Sequence, residues 1–551
     1  MLLIFFVPVV STFAQVDNIP AGHPVYQFLK RMSVSGILKN YDDTIIPLSR
    51  GKIEGFLAQL DSSENLSNVD KEFLRRMMDK IEPEPSDKNI INIFDGFPEK
   101  FLRNLTIDKQ KHLYSYSDSV ITFQIDPVAE LKYLYSDAQN QPGSFFNFGG
   151  LARGSYDNWF GFYLQGNEAA VWGNRNVVSI DKRVEQSYTF NHTDLNYFDG
   201  TQGYMRFEKG IVNLQFGRER ILWGNGYINK TILSDNPPLF DFVKFGIAYK
   251  KFSYNFLHGW LVQKPDSVYV DSLIGNVKFK SSKYIAVSRF GYHANEGLNF
   301  GISQIIIYSN RPFEAAYLNP FLFWESAQRS MNDLDNSFLA FDGRYRAAPG
   351  CELSASIIFD DINFKKLFEH NGWERSNNGI EWQAGTMLAW PLLPEELSIK
   401  MEYTQARPYI FSHPGIGESL TYTNNGYLLG ADMQPNSTRL SAEIDYRFSS
   451  KIFLSVLYSH TLHGANIYDS GGNLLRNVGG NVFENFSLFD SQYAPLLDGN
   501  RELLDELKIN FNYEITYGVY FDFVYRFSHH EFNNIVINNN AAWASFYFSF
   551  E

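Results

Sequence analysis

Hydrophobic and polar residues alternate along most of the chain beyond residue 120. The segment 397–404, LSIKMEYT, is typical, because its odd-numbered positions are apolar and its even-numbered positions are polar. Segments 439–447 and 507–514 repeat this pattern. A period of two is the pattern of a β-strand that has one apolar and one polar face. We therefore expect strands that contact an apolar medium on one side and water on the other.

The spacing of these segments distinguishes a membrane barrel from a soluble sandwich. Eighteen segments show the pattern, namely 120–135, 145–153, 159–165, 203–209, 211–217, 244–250, 252–262, 283–290, 297–307, 338–346, 351–359, 379–389, 396–405, 438–447, 451–460, 506–514, 517–527 and 542–550. Tight connections, such as 209–210 and 449–450, alternate with long ones at about 166–202, 218–243, 308–337, 406–437 and 461–505. Outer-membrane barrels have short turns at one end and long loops at the other, whereas a sandwich would scatter its long connections. The sequence therefore predicts an all-β transmembrane barrel of about 18 antiparallel strands over residues 120–551.

The first 119 residues follow different patterns. In 25–32, 53–60 and 69–81 apolar residues recur every three or four positions, which predicts three short amphipathic helices followed by a polar connector. Their apolar stripes would pack against one another or against the rim of the barrel. Residues 1–14 combine an apolar run with a small-residue cleavage site after Ala14, which indicates a secretory signal peptide, with a buried first strand as the alternative. Residues 15–119 are thus predicted to be a periplasmic helical segment.

Composition and charge narrow the possible functions. Aromatic residues make up 17% of the chain, as suits a membrane barrel, and no run of about 18 apolar residues predicts a transmembrane helix. The net charge of -13 argues against a nucleic-acid partner, and the single cysteine excludes an internal disulfide. Tryptophans near predicted strand ends are expected to form an interfacial belt: Trp223, Trp324, Trp373, Trp382, Trp390 and Trp543.

The stretch 211–242 is the least regular part of the predicted barrel. It begins as a strand, but three glycines then loosen its backbone, and Pro237 and Pro238 prevent further ladder pairing. Between them lies a dense set of polar and aromatic residues: Arg218, Glu219, Arg220, Trp223, Asn225, Asp235 and Asn236. Such side chains suit either a loop that binds sugar or a loop that is braced inside a cavity.

Two further stretches carry candidates for sugar contact. They are LNPFLFWE, with Asn319, Phe321, Trp324 and Glu325, and ARPYIF, with Arg407 and Tyr409. Aromatic faces stack on pyranose rings, and arginine binds uronate carboxylates with two hydrogen bonds. The alternative, favoured for charged residues near strand ends, is a lumen-filling ion-pair network of Arg218, Glu219, Asp235, Asp342 and Arg344. Trp223 and Trp324 fit an interfacial belt and sugar contact equally well.

An enzyme and a pore are the competing classes. Glu219 with Asp235, or Asp360 with Asp361, would suit glycoside cleavage, but the sequence fixes no separation between these carboxylates. The chain contains no G-x-S-x-G, H-x-x-x-H or C-x-x-C motif, so no catalytic residue, metal or cofactor is predicted. A barrel whose long loops folded outward would instead be a solute channel.

Several stretches together resemble the capsule-assembly outer-membrane lectin family, Wzi. They are IPAGHPVYQFLKRMSVSGIL, IIPLSRGKIEGFLAQL, DPVAELKY, FGRERILWGNG and ILSDNPPLFDF, and the most specific parts are 22–26, 218–226 and 233–240. The resemblance implies an eighteen-stranded barrel in the outer membrane of a Gram-negative bacterium, with a helical bundle at the periplasmic end. It also implies a non-enzymatic protein that holds capsular or exopolysaccharide at the cell surface, with a polysaccharide export channel as a candidate partner. An outer-membrane porin or solute channel is the alternative.

Overall fold

A computed structural model describes residues 15–81, 90–139, 141–187, 197–263, 267–271, 275–279, 282–319, 322–360, 374, 376, 378–414 and 418–550. The predicted signal peptide 1–14 lies outside the described residues, as do Phe321, Asp361 and Trp373. In the part of the chain that the structure describes, no helix is long and apolar enough to cross a bilayer.

The N-terminal segment contains the three predicted helices. They are α1 (Val25–Val34), α2 (Arg50–Asp61) and α3 (Asn68–Ile81), and a fourth, α4 (Phe101–Thr106), follows. The apolar stripes of α1, α2 and α3 pack together around Phe28, Leu57 and Phe73, which are all buried. Two short strands, Ile91–Asn92 and Lys111–His112, pair in the connector before the barrel begins.

Eighteen antiparallel strands form one closed barrel, as predicted. The strands are β1 (Ile121–Ser136), β2 (Gly143–Tyr156), β3 (Phe160–Gly173), β4 (Tyr197–Lys209), β5 (Val212–Arg218), β6 (Asp241–Tyr249), β7 (Phe252–Leu261), β8 (Lys283–Asn295), β9 (Leu298–Ser309), β10 (Asn336–Ala348), β11 (Cys351–Asp360), β12 (Gly379–Leu388), β13 (Leu397–Ala406), β14 (Ser437–Arg447), β15 (Ile452–Ala465), β16 (Asn500–Thr516), β17 (Val519–Phe532) and β18 (Ile535–Phe548). The barrel closes where Ala541 of β18 pairs with Ser136 of β1. The short strand Tyr114–Ser117 covers the start of β1, which β18 does not reach.

Several strands are longer than the sequence pattern indicates. β16 begins at Asn500 instead of 506, and β18 begins at Ile535 instead of 542. As a result, β17 and β18 are joined by a two-residue turn and not by a longer loop. Its residues, Asn533 and Asn534, have positive φ angles of 51° and 62°, as hairpin turns require. These extensions are rich in charged and amide residues, because strand ends that project beyond the bilayer need no apolar face.

The barrel wall is apolar outside and polar inside. Exposed outward-facing side chains include Phe146, Phe148, Leu164, Met205, Phe290, Phe300, Ile302, Met401 and Leu440. Buried inward-facing side chains include Arg153, Gln215, Arg289, Asp342, Gln383, Glu402 and Asp445. This is the arrangement of a barrel that is surrounded by lipid.

The two ends of the barrel differ. The short turns 157–159, 210–211, 250–251, 296–297, 349–350, 389–396, 448–451 and 517–518 lie at one end, which we call the short-turn end. Longer connections at the other end, the long-loop end, contain the helices α5 (Arg175–Val178), α6 (Lys182–Glu185) and α7 (Trp324–Met331) and the 3-10 helix Ala315–Leu318. They also contain the paired strands Ser267–Asp271 with Gly275–Phe279, Thr423–Asn424 with Tyr427–Leu428, and Ile467–Tyr468 with Leu474–Arg476.

The helical segment closes the short-turn end. The backbone N–H of Gly350, in the turn between β10 and β11, donates to the Val34 carbonyl of α1 at 2.9 Å. On the other side, Lys80 of α3 places its Nζ 2.6 Å from Glu514 Oε1 of β16. These contacts fix the position of the N-terminal segment against the lumen.

Candidate functional site

The connection 219–240, between β5 and β6, folds into the barrel, and we call it the inner loop. Its residues Leu222–Trp223 pair with Ile45–Ile46 of the N-terminal segment. The Gly224 N–H donates to the Thr44 carbonyl at 2.8 Å. The inner loop enters from the long-loop end and the N-terminal segment from the short-turn end, so the two meet inside the lumen. The Trp223 ring is fully buried there, so it lies neither in an interfacial belt nor on a sugar-contacting surface, and both predictions for it are wrong.

Polar side chains bind the inner loop to its surroundings. Glu219 Oε2 accepts hydrogen bonds from Asn18 Nδ2 at 2.8 Å and from Gln215 Nε2 at 2.6 Å. Burial raises the pKa of Glu219 above its ordinary value. Asn225 Nδ2 donates to Asp342 Oδ1 at 2.6 Å. The inner loop is therefore braced against both the N-terminal segment and the wall.

Ion pairs line the lumen around the inner loop. Arg289 donates to both carboxylate oxygens of Asp342, at 2.7 and 2.9 Å. Arg344 pairs with Asp43, which also lies 3.4 Å from Lys30. Burial alone would raise the pKa of Asp43, but Lys30 and Arg344 outweigh this effect and hold it well below its usual range. The pairs tie strands β8 and β10 to the centre of the barrel.

One carboxylate holds the apex of the inner loop. Glu402 of β13 accepts hydrogen bonds from the backbone N–H groups of Tyr227, Ile228 and Asn229 at 2.8, 3.2 and 2.9 Å. The Tyr227 hydroxyl in turn donates to Glu352 of β11 at 3.1 Å. Sequence reasoning missed Glu402, because it is one of many inward-facing polar residues and gains its role only when the loop folds onto it.

The connection 407–436 packs on the inner loop from the long-loop end. Tyr422 donates its hydroxyl to the Ile232 carbonyl at 2.5 Å, and its ring packs with Trp223 and other apolar residues in one core. Arg407 and Tyr409, at the start of this connection, are buried, and the Tyr409 hydroxyl donates to the Asn477 carbonyl at 3.0 Å. These two predicted sugar contacts therefore lie beneath the surface of the long-loop end.

The 310–335 connection lies against the outer wall of the barrel. Trp324 begins α7, is 1% exposed and packs in one cluster with Tyr308 of β9. Its Nε1 donates to the Asn319 carbonyl at 3.3 Å, and Glu325 pairs with Arg329 at 2.6 Å. Because the loop covers Trp324, it is neither an exposed belt residue nor accessible to sugar, and both predictions for it are wrong.

The other predicted belt residues differ in position. Trp543 lines the lumen instead of the outer wall, so the belt prediction for it is wrong. Trp382 of β12 is partly exposed on the outer face, because its neighbours Glu381 and Gln383 are buried in the lumen, and this position suits a belt residue. Trp390 lies in the turn after β12 and is partly buried. Exposed tryptophans at other described strand and turn positions, which the sequence analysis did not single out, are Trp159, Trp172 and Trp260.

A second feature of the lumen is a cavity of about 720 Å³ beside the inner loop, which we call the lateral cavity. It lies along the inner faces of β1 to β4 and β17 to β18, and α6 borders it. Its lining combines the cations Lys132, Arg183 and Arg220 with the rings of Trp543 and Tyr547, with amides such as Gln202, and with four acidic residues, Asp126, Glu130, Asp199 and Asp522. Of the predicted sugar contacts, Arg220 lies here, whereas Arg218 borders the cavity but shares the outer face of β5 with the exposed Leu214 and Phe216.

Arg183 of the lateral cavity keeps hydrogen-bonding capacity. It pairs with Glu130 and Asp181, at 2.7 Å each, and its side chain is 45% exposed. Arg218 instead donates from Nε and Nη2 to Asp241, at 2.9 Å each, on the outer face of the wall. A guanidinium with exposed N–H groups can bind a further oxyanion without losing its protein partner.

Arg220 differs from these paired arginines. Its Nη1 donates to the backbone carbonyls of Asp235, at 2.7 Å, and Pro237, at 3.5 Å. Across the described parts of the chain it has no carboxylate within 4.0 Å. Asp235 is exposed, whereas Asn236 is buried and accepts from Lys182 Nζ of α6 at 3.0 Å. The end of the inner loop thus presents an arginine whose charge no ion pair neutralises.

The structure separates the predicted site residues by location. Glu219, Trp223, Asn225, Asn236 and Asp342 hold the inner loop in the lumen, and Arg344 binds the N-terminal segment. Arg220 lines the lateral cavity, Arg218 lies on the outer face of β5, and Asn319, Trp324, Glu325, Arg407 and Tyr409 belong to other connections. Sequence reasoning missed Lys132 and Arg183 and assigned Trp543 to the belt. The inward position of Trp543 was readable from its strand, since Ser545 and Tyr547 share its face.

Comparisons with known proteins concern the fold. No family model and no curated protein sequence matches this chain. Among solved structures it is similar to Wzi of Escherichia coli, an outer membrane protein involved in group 1 capsule assembly that is a carbohydrate-binding β-barrel. This match has a TM-score of 0.56 and 12% identity and covers 97% of this chain and 99% of Wzi.

Other similar structures match a smaller part of the chain. One is the outer membrane protein OprD of Pseudomonas aeruginosa, with a TM-score of 0.41 and 10% identity, and the match covers 77% of this chain and 92% of OprD. Another is OccAB2 of Acinetobacter baumannii, with a TM-score of 0.43 and 11% identity, and the match covers 78% of this chain and 98% of OccAB2. Likeness at this level supports no argument about function. The resemblance predicted from the sequence is confirmed: the chain is an outer-membrane β-barrel of a Gram-negative bacterium that resembles Wzi in fold over nearly its whole length.

Proposed function

We propose that this protein binds polysaccharide at the outer membrane, holds capsular or exopolysaccharide at the cell surface and assists capsule assembly. The observation that carries the proposal is the lateral cavity, in which arginines lie beside aromatic rings and amides. Guanidinium groups bind carboxylates, aromatic faces stack on pyranose rings, and amides bind hydroxyls. An acidic polysaccharide offers all three kinds of group: carboxylates, pyranose rings and hydroxyls. The likeness in fold to the carbohydrate-binding barrel Wzi supports the same proposal.

The orientation of the barrel gives the cavity access to the cell exterior. Short turns of outer-membrane barrels face the periplasm, and long loops face outward. The helical segment 15–119 is then periplasmic, while Arg183, on the 174–196 connection, lies at the outer rim of the cavity. A polysaccharide export channel remains a predicted partner of the periplasmic segment.

Arg220 is the principal contact in this proposal. Its charge has no ion-pair partner in the described residues, so a uronate carboxylate gains a full charge-assisted hydrogen bond there. Arg183 adds its exposed N–H groups at the rim of the cavity. Trp543 and Tyr547 provide ring faces on the opposite wall. Among the other predicted residues, Glu219, Trp223 and Asn225 keep the inner loop in place, and the protein acts by binding without a covalent step.

The proposal is tested by capture of polymer on cells. Cells that express the protein are incubated with a labelled acidic capsular polysaccharide, and retained label is measured by flow cytometry. Arg220→Gln should weaken retention about tenfold or more, because one charge-assisted hydrogen bond is lost. Arg329→Gln is the matched control, since Arg329 is 78% exposed on the outer connection and does not line the cavity. Equal retention by the Arg220 variant and the wild type would contradict the proposal.

A solute channel is the second candidate, and the extent of the lateral cavity favours it. The cavity lining continues from Arg183 at the long-loop end to Phe548 and Phe550 at the short-turn end. Single-channel recording in planar bilayers separates the two functions. The binding proposal predicts no large stable conductance, because the inner loop and the N-terminal segment fill the rest of the lumen.

A further inference from the structure

A second cavity, of about 600 Å³, opens at the short-turn end of the barrel, and we call it the short-turn cavity. It lies between the N-terminal segment and the inner faces of strands β4 to β8. Turn residues Lys250 and Glu296 lie at its mouth, and Lys244 lies on its inner wall. Its volume is within the range of small-ligand sites. None of the residues predicted as sugar contacts in 218–236 lines it.

The lining of the short-turn cavity is strongly cationic. Seven lysine and arginine side chains contribute to it, against three aspartate and glutamate side chains. Four of these cations have carboxylate partners: Arg289 binds Asp342, Arg344 binds Asp42 and Asp43, and Arg206 and Lys52 share Glu208. The other three cations, Lys244, Lys250 and Lys251, therefore leave an excess of positive charge on one side of the cavity.

Lys244 is the buried residue among these three lysines. It points inward from β6, is 3% exposed and has no carboxylate within 4.0 Å anywhere in the described residues. Glu219 and Glu208 act on its charge only from beyond that distance. Burying an ammonium group without a close counter-ion is costly, so a negatively charged ligand beside Lys244 would stabilise the protonated amine. Such a ligand would reach Lys244 from the mouth of the cavity.

Two amides complete the wall next to Lys244. Asn213 of β5 and Asn255 of β7 flank Gly246, two residues beyond Lys244 on the same face of β6. Their amide groups converge so closely over Gly246 that a Cβ there would lie 2.6 Å from one and 2.9 Å from the other. The lining thus combines a cation with hydrogen-bond donors, which is what recognition of an oxyanion requires.

We propose that the short-turn cavity binds an oxyanion, a carboxylate or a phosphate group, from the periplasmic side, with Lys244 as its main contact. This goes beyond polysaccharide retention at the surface, because the two cavities have different linings and lie toward different ends of the barrel. The site would give the protein a second, periplasmic ligand that is independent of the lateral cavity.

The test uses the full-length protein, purified in detergent micelles and titrated by calorimetry with inorganic phosphate, with D-glucuronate and with neutral glucose. At least one oxyanion should bind saturably, and glucose should not. Lys244→Met should weaken oxyanion binding about tenfold or more, and Lys244→Arg should preserve it. Lys71→Met is the matched control, because Lys71 is an exposed lysine of α3 in the same helical segment that does not line the cavity.

Two results would overturn the proposal: no saturable oxyanion binding by the wild type, or equal affinity in Lys244→Met. Folding of each variant is checked by its heat-dependent mobility on gels. Should Lys244→Met not fold, Asn255→Ala replaces it, and unchanged affinity for both oxyanions in that variant would overturn the proposal equally. Arg220→Gln should leave phosphate binding unchanged, whereas glucuronate binding that is lost in this variant belongs to the lateral cavity, so failure of the surface function and failure of this site are distinguishable.

Discussion

Replacing Trp223 with alanine should open the lumen without unfolding the barrel. The Trp223 ring is fully buried in the core that joins the inner loop to the connection 407–436 and to Ile45. Truncating a buried tryptophan to alanine costs about 3–5 kcal/mol. That cost falls on docking of the inner loop, since the strands of the wall keep their own hydrogen bonds. The population of undocked loops should therefore rise roughly 10²- to 10⁴-fold.

Planar-bilayer recording and limited proteolysis measure this change. We expect Trp223→Ala to show more frequent and larger conductance events than the wild type and faster cleavage within 219–240. Trp159→Ala is the matched control, because Trp159 lies on the outside of the barrel in the turn between β2 and β3, and it should change neither readout. Wild-type conductance and wild-type cleavage in Trp223→Ala would refute the conclusion that the inner loop plugs the barrel.

Two further predictions concern the groups that hold the plug. Glu402→Gln loses one acceptor position for the N–H groups of 227–229 and should weaken docking of the inner loop by about 1.5–3 kcal/mol. The weaker docking is measured as faster amide exchange at those residues. Glu325→Gln, on the outer connection, is the control and should leave that exchange unchanged. Asp43 has a folded-state pKa below its ordinary 3.8, so its stabilising contribution is complete above about pH 5 and is lost as the pH falls through the folded-state value. Protease resistance of the N-terminal segment should consequently fall below about pH 4 in the wild type, and an equal fall in Asp43→Asn would contradict this assignment.

The barrel was predictable from the sequence because each strand is specified by residues that are close together in the chain. Each strand must present alternate residues to lipid and to the lumen, so the period of two persists through β1 to β18 and gives their number and order. The pattern is lost at the long-loop ends of several strands, among them β3, β4, β16 and β18, which extend beyond their predicted bounds. There, residues such as Glu502 and Asn538 need no apolar neighbours, and hydrogen bonding to the adjacent strand is sufficient to continue the sheet.

The site was less predictable because it depends on contacts between distant parts of the chain. The composition of 218–236 indicated a functional or braced loop, but the pairing of Trp223 with Ile45 joins residues 178 positions apart, and no local pattern reports it. The same holds for Glu402, whose role appears only when Tyr227 reaches it. Arg183 lines the same cavity as Arg220 through the fold of residues 174–187, which the alternation of residues does not describe.

The central claim is that acidic polysaccharide binds in the lateral cavity through Arg220, and equilibrium binding of the purified protein to polymer tests it most directly. Native acidic capsular polymer is compared with the same polymer after its carboxyl groups have been reduced to alcohols. We expect saturable binding of the native polymer, without release of reducing ends, and about tenfold or more weaker binding both after carboxyl reduction and in Arg220→Gln. Equal affinity for native and reduced polymer, or absence of binding to the native polymer, would contradict it.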